Sequence, residues 1–172
     1  MCALISRFEP AGDTAVAVLP GEQMRSPAIQ GRRDQEESYV LDEQVGFALR
    51  QAQQRHTTIF AAKMIEDLTP TQWAALAKLR ELGDCSQNHL GRLTAMDAAT
   101  IKGVIDRLTG RGFTTTRSDP RDGRRILVAL TPAGSDLYDR AAPIAALITE
   151  KTLEPLGEHE RLMLVALLRR LA

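Results

Sequence analysis

Cysteine is scarce in this chain: Cys2 and Cys85 are its only two, far apart and not in a C-x-x-C pair. That excludes a disulfide framework or a cysteine-based zinc site and fits a reducing cytosol. The three histidines, His56, His89 and His159, do not cluster at ligand spacings, so no metal is expected. No apolar run reaches the roughly 18 residues a membrane span needs. Glu9 and Asp13 break the short apolar patch at the start, which leaves no signal-peptide core. A nucleophile elbow, a phosphate loop and a dinucleotide fingerprint are all missing, so neither an enzyme nor a cofactor is expected. Net charge is missing too. The 22 Lys and Arg balance the 22 Asp and Glu, and any attraction to a polyanion must therefore be local. A cytoplasmic protein that avoids membranes is the expectation.

What is present suits a globular fold. A hydrophobic fraction of 44% with 26% charged residues supports a packed core, and 172 residues give room for one domain or two small lobes sharing it. Residues 1–38 lack sustained periodicity and carry Pro10, Pro20, Pro27, Gly12, Gly21 and Gly31. They read as a mobile N-terminal extension, or as a short arm on a partner subunit.

Order should begin near Tyr39. Leu41, Val45, Ala48, Leu49, Ala52, His56, Ile59, Phe60 and Met64 recur at three- and four-residue steps, which predicts one long helix with an apolar stripe. In DLTPTQW, Thr69 can cap, Pro70 suits the first helical position and Gln72 completes a capping box. A helix to about Leu82 follows, with Trp73, Leu76, Ala77 and Leu79 inward and Gly83 ending it. Ser86 then caps a brief helix, QNHLGRLT. Asp97 caps the next, whose buried stripe is Ile101, Val104, Ile105 and Leu108 and which Gly112 closes. Two short helices about a tight turn, the second amphipathic, make a helix-turn-helix.

Behind it the period changes. FTTTRS and RILVAL flank the polar turn DPRDGR, which predicts a hairpin and hence a wing. Thr131-Pro132 opens another helix, to about Leu153, with Pro143 expected to bend it. Pro155 and Gly157 precede a final leucine-rich helix carrying Leu162, Val165, Leu168 and Leu171. The fold class is mostly α with a small β-hairpin wing.

The middle segment departs from neutrality. Between Ser86 and Thr131, Arg92, Lys102, Arg107, Arg111, Arg117, Arg121, Arg124 and Arg125 meet only Asp97, Asp106, Asp119 and Asp122. A basic lobe on a neutral chain is the footprint of a DNA-binding surface. The outward side of the second helix carries Ala99, Gly103, Asp106 and Gly110, flanked by Thr100, Lys102 and Arg107. Small residues there let a backbone approach bases in a major groove while a few polar groups reach outward. Arg107 and Arg111 also admit a structural reading, paired with Asp106 or with helix carbonyls.

The runs LGRLTAMDAATIKGVIDRLTGRGF and RSDPRDGRRILVALTPAG resemble the winged helix-turn-helix core of the MarR (multiple antibiotic resistance regulator) family. The resemblance covers residues from about 40 to the C-terminus. It implies a DNA-binding lobe at about 69–131 and dimerisation helices at about 39–68 and 132–172. It further implies a homodimer on an imperfectly palindromic double-stranded operator. Asp119 and Arg125 would brace the wing, Arg121 and Arg124 would meet DNA, and Ser86, Gln87 and Asn88 would touch phosphates at a helix N-terminus. Ala98 and Gly103 stand where family members often carry basic residues, which moves base reading towards Thr100, Lys102 and Arg107.

The family resemblance also implies a small aromatic carboxylate effector bound between the dimer helices and the DNA lobe. His56, one turn before Phe60, and Trp73, the only tryptophan, are the candidates to hold it, with Arg50 and Arg55 as nearby cations. A satisfied core histidine and a packing tryptophan are the alternative reading. The segments RQAQQRHTTIF, TPTQWAALAKL and CSQNHLGRLTAMDAATIKG further resemble a branch that represses nicotinate catabolism and responds to hydroxynicotinate. Two other functions stand beside this one: a thiol-based redox regulator acting through Cys85, which otherwise reads as a small buried hydrophobe, and a winged-helix module that binds protein instead of DNA.

Overall fold

The computed structural model describes residues 39–171; the extension at 1–38 lies outside the described residues. A 3-10 turn at Leu41–Glu43 leads to helix α1 (Val45–Lys63), α2 (Pro70–Leu82), strand β1 (Cys85–Ser86), α3 (Gln87–Leu93) and α4 (Ala98–Gly110). Strands β2 (Thr114–Asp119) and β3 (Asp122–Leu130) follow, then α5 (Pro132–Thr152) and α6 (Glu158–Leu171). No described helix is long and apolar enough to cross a membrane.

The first helix is shorter than its periodicity predicts. Gln44 adopts an extended conformation (φ −84°, ψ 128°) and its side-chain amide donates to the Val40 carbonyl at 3.0 Å, so Leu41 belongs to a separate turn. Helix α1 ends where Met64 turns extended, and the loop beyond holds Glu66 and Asp67 in the left-handed region. At the next start the capping box is complete: Thr69 Oγ1 accepts from the Gln72 amide at 3.2 Å, and Gln72 Oε1 accepts from the Thr69 amide at 2.9 Å. Gln72 is consequently buried, and Ala75 joins Leu76 and Leu79 in the core while Ala77 and Trp73 stay half-buried.

The sheet is antiparallel, in the order β1-β3-β2. Strand β1 is not legible from periodicity. Its two residues pair with the wing, Cys85 opposite Val128 and Ser86 opposite Leu127, and so tie the helix-turn-helix to the hairpin. The hairpin turn is tighter than the six-residue loop DPRDGR suggests. Asp119 pairs with Asp122, leaving two residues at the tip. Each aspartate accepts from the amide two residues on, Arg121 at 2.9 Å and Arg124 at 3.1 Å, so side chains complete the bend.

Behind the wing, Thr131 Oγ1 both accepts from the Gly134 amide at 3.0 Å and donates to the Gly112 carbonyl at 2.6 Å. A Cβ at Gly134 would overlap the Phe113 carbonyl. The L-T-x-x-G sequence is thus the joint that fastens α5 to the end of α4. The core beneath joins Phe60, Met64 and Leu68 to Leu76, Leu79, Leu90, the α4 stripe, Val128, Leu137, Ala141 and Ile148. Helix α6 has no buried residue: Leu162 is 70% and Leu171 73% exposed. At the other end of the chain, Val45 is 67% exposed.

Candidate nucleic-acid interface and effector cleft

Helix α4 is held from both sides of its sequence. Asp97 Oδ1 accepts from the Thr100 amide at 2.7 Å, and that bond holds the Asp97 carboxyl below the usual carboxylate range. Ile101, Val104, Ile105 and Leu108 are fully buried, as their spacing predicts. The opposite side presents Ala98, Ala99, Thr100, Lys102, Asp106, Arg107 and Gly110 to solvent. A Cβ at Gly103 would meet only the Arg107 guanidinium, at 3.5 Å. The small residue therefore gives that guanidinium a place to lie along the helix.

The basic side chains divide by what they touch. Lys102 Nζ lies 2.6 Å from Asp106 Oδ2, one turn along the same face. With both groups exposed, such a pair contributes about 0.3–0.5 kcal/mol, too little to keep Lys102 from a stronger partner. Arg111 is engaged structurally, but with neither partner expected: it lies 3.4 Å from Glu66 and over the Phe113 ring at 4.8 Å. Glu66 also receives Arg140 of α5 at 3.3 Å. Arg117 pairs with Asp84 at 3.0 Å. Arg121 and Arg124 form no ion pair among the described residues, and both side chains are exposed at the wing tip.

A groove of about 450 Å³ runs between the start of α3 and β3, lined by Ser86, Gln87, Asn88, Arg92, Arg124, Arg125 and Ile126. The structure thus brings the expected Ser86–Asn88 corner against the wing. Within that corner the Ser86 side chain is already engaged, since it is buried and caps α3 by accepting from the His89 amide at 3.4 Å. The exposed polar groups are Asn88, the expected Arg124, and two arginines that the sequence counts in the basic lobe without placing them at this corner, Arg92 and Arg125. Asn88 and Arg92 stand four residues apart on α3, which puts them on one face; that spacing is the available signal.

A second cleft, of about 330 Å³, lies between α1, α2 and α5, lined by His56, Phe60, Pro70, Trp73, Ala145, Ala146, Ile148 and Thr149. Three of the five expected residues, His56, Phe60 and Trp73, meet here. His56 Nδ1 is 3.0 Å from Thr152 Oγ1 and its ring is tilted against Phe60 at 6.0 Å. Trp73 stacks on Tyr138 at 5.3 Å, nearly parallel, and the Arg80 guanidinium sits 5.7 Å from the Tyr138 ring centre. Arg50 and Arg55 do not line the cleft. Six residues before His56, Arg50 is rotated about 120° round the helix and displaced about 9 Å along it. Arg55 instead donates to the Lys151 and Thr152 carbonyls at 3.1 and 3.4 Å, closing the C-terminus of α5. Neither Tyr138 nor the small-residue face of α5 can be found from sequence, because Tyr138 reaches Trp73 only through tertiary packing.

Cys85 is buried in β1, and burial together with the neighbouring Asp84 pushes its thiol pKa up. The thiolate is the species that oxidants attack. The geometry therefore favours the packing role over the redox one.

Three comparisons with known proteins bear on this arrangement. The model of the MarR family matches residues 68–126, which span α2 to the wing. The HTH-type transcriptional repressor NicR of Pseudomonas putida is 40% identical over 134 residues, covering 77% of this chain and 85% of that protein. The crystal structure of a probable transcriptional regulator from Pseudomonas aeruginosa superposes with a TM-score of 0.75 at 53% identity, over 77% of this chain and all of that one. BpsR of Bordetella bronchiseptica, whose DNA binding is regulated by 6-hydroxynicotinic acid, superposes with a TM-score of 0.71 at 42% identity, over 75% of this chain and 98% of its own.

Proposed function

Because the chain belongs to the MarR family of transcription regulators, we propose that it is a homodimeric repressor released from its operator by a small aromatic carboxylate. The observation that carries this reading is the face of α4: small residues and three polar reaching groups on a buried-stripe helix, beside a wing whose tip arginines are unpaired among the described residues. In this reading Ala99 and Gly103 let the backbone approach the bases, while Thr100, Lys102 and Arg107 read them in the major groove. Arg121 and Arg124 grip the sugar-phosphate backbone, and Gln87, Asn88 and the Ser86 corner meet a phosphate with Arg92 beside them. Asp119 and Arg125 keep the wing in shape.

The working division of the chain is a DNA-binding lobe at about 69–131, carried by dimerisation helices at about 39–68 and 132–172. The apolar surface that α6 and the start of α1 leave uncovered supports a partner copy, since burying each such leucine contributes roughly 2 kcal/mol. A two-fold dimer spaces its recognition helices by about 34–36 Å, so the operator is an imperfect palindrome. The effector enters the His56–Phe60–Trp73 cleft. The chain's likeness to BpsR and NicR supports hydroxynicotinate as the first acid to try. A 100-fold preference of the acid for the DNA-incompetent arrangement amounts to about 2.7 kcal/mol of coupling.

The test is fluorescence anisotropy on palindromic promoter DNA over a range of salt concentrations, with and without acids selected by thermal shift. Affinity that falls steeply with salt shows phosphate contact, and an acid that stabilises the protein should release the DNA. A salt-independent interaction, or none, returns the chain to the protein-binding alternative.

A further inference from the structure

The hydrogen bonds around the effector cleft determine which end of a ligand it accepts. Thr152 Oγ1 lies 2.8 Å from the Ile148 carbonyl and 3.0 Å from His56 Nδ1. A hydroxyl has one proton. If it pointed at the imidazole, the hydroxyl and carbonyl lone pairs would face each other at 2.8 Å, so the proton belongs to the carbonyl bond. Thr152 Oγ1 then accepts, and His56 Nδ1 must carry a hydrogen. In the neutral ring the other nitrogen, Nε2, is left with a bare lone pair. Thr149, which also lines the cleft, is arranged alike: its Oγ1 donates to the Ala145 carbonyl at 3.1 Å and has only lone pairs left to offer. Among the described residues, no lysine or arginine lines the cleft.

From this we infer that the cleft selects its ligand through a hydrogen-bond donor on the aromatic ring, a hydroxyl or a ring N–H, received by His56 Nε2 with Thr149 Oγ1 as a second acceptor. The carboxylate faces the open side of the cleft, because against two lone-pair-bearing atoms an anion meets repulsion. Phe60 and Trp73 supply the walls for the ring itself. The inference rests on the reading of this cleft as the effector site, and it adds a rule of discrimination: an aromatic acid without a ring donor is a poor effector whatever its size.

Isothermal titration of the full chain with two matched sets tests it. One set is 6-hydroxynicotinate and nicotinate; the other is 4-hydroxybenzoate, 4-methoxybenzoate and benzoate. The donor-bearing member of each set should bind at least tenfold more tightly, about 1.4 kcal/mol. The methoxy compound, which keeps the oxygen and lacks the hydrogen, should fall with benzoate. Equal affinities within the sets, or a methoxy compound as tight as the hydroxy one, overturn the inference while leaving the effector reading intact. If no acid binds at all, both fail.

Thr152→Val removes the acceptor for Nδ1–H and should shrink the preference towards unity with operator affinity unchanged; a preference that survives overturns the relay. Should that variant fold poorly, nitrogen NMR of the wild-type protein with labelled histidine, assigned with His56→Gln, gives the answer without it. The expected form has hydrogen on Nδ1 and a bare Nε2, and the opposite tautomer refutes the proposal.

Discussion

Arg125 Nε lies 3.8 Å from Asp119 Oδ2 across the base of the wing tip, and the Asp119 side chain is only 11% exposed. The same carboxylate receives the Arg121 amide. It therefore shapes the turn that carries Arg121 and Arg124 as well as pairing with Arg125. Replacing it sets two effects against each other, since losing a negative charge favours DNA while losing the turn disfavours it.

Asp119→Ala should lower operator affinity despite the favourable charge change, with faster amide exchange across Thr114–Leu130 and an almost unchanged melting temperature. Asp119→Asn keeps an acceptor for the Arg121 amide and should retain most of the affinity. If Asp119→Ala binds more tightly than wild type, charge outweighs turn geometry and the bracing role is wrong.

Lys102→Ala should leave stability nearly unchanged, because the exposed Lys102–Asp106 pair contributes only about 0.3–0.5 kcal/mol. Specific operator affinity should fall more than affinity for random DNA, by roughly 1–3 kcal/mol for a lost base contact. Equal losses on both DNAs, measured by anisotropy at one salt concentration, would mean that Lys102 touches backbone alone.

Gly134→Ala tests the joint between α4 and α5. The added methyl overlaps the Phe113 carbonyl, a backbone atom that cannot swing aside. Overpacking of that kind costs about 1–3 kcal/mol, which urea unfolding will register. Operator affinity should suffer too, since relieving the overlap shifts the end of α4. A variant as stable as the parent would show that the joint yields easily.

Much of this architecture is legible in the sequence because its signals are local. The Thr-Pro helix starts, the Asp97 cap and the four-residue stripe of α4 all depend on neighbours within a turn. So does the wing, where Asp119 and Asp122 each bond an amide two residues on. What escapes is long-range. Two residues, Cys85 and Ser86, carry no period, and they become a strand only because Val128 and Leu127 lie opposite. Arg55 and Arg50 read as ligand groups because they are near His56 in sequence, yet helix rotation sends them elsewhere. The DNA candidates are easier to place than the cleft, since charge accumulates along a segment while a cleft draws on α1, α2 and α5 together.

The pH dependence of stability should carry a signature of Asp97. Its folded pKa lies below the ordinary carboxylate value because the ionised form accepts the Thr100 amide. The stabilisation is therefore complete above the unfolded-state pKa and disappears as pH falls through the lower, folded one. Asp97→Asn keeps a capping oxygen without a titrating charge, so it should flatten the acid side of the melting-temperature profile relative to wild type. Asp97→Ala loses the cap as well and should melt below both at every pH, while wild type and Asp97→Asn converge in strong acid, where each offers an uncharged oxygen to the Thr100 amide. Profiles of wild type and Asp97→Asn that stay parallel from neutral pH down through the acid transition would show that the carboxylate caps α4 without its charge mattering.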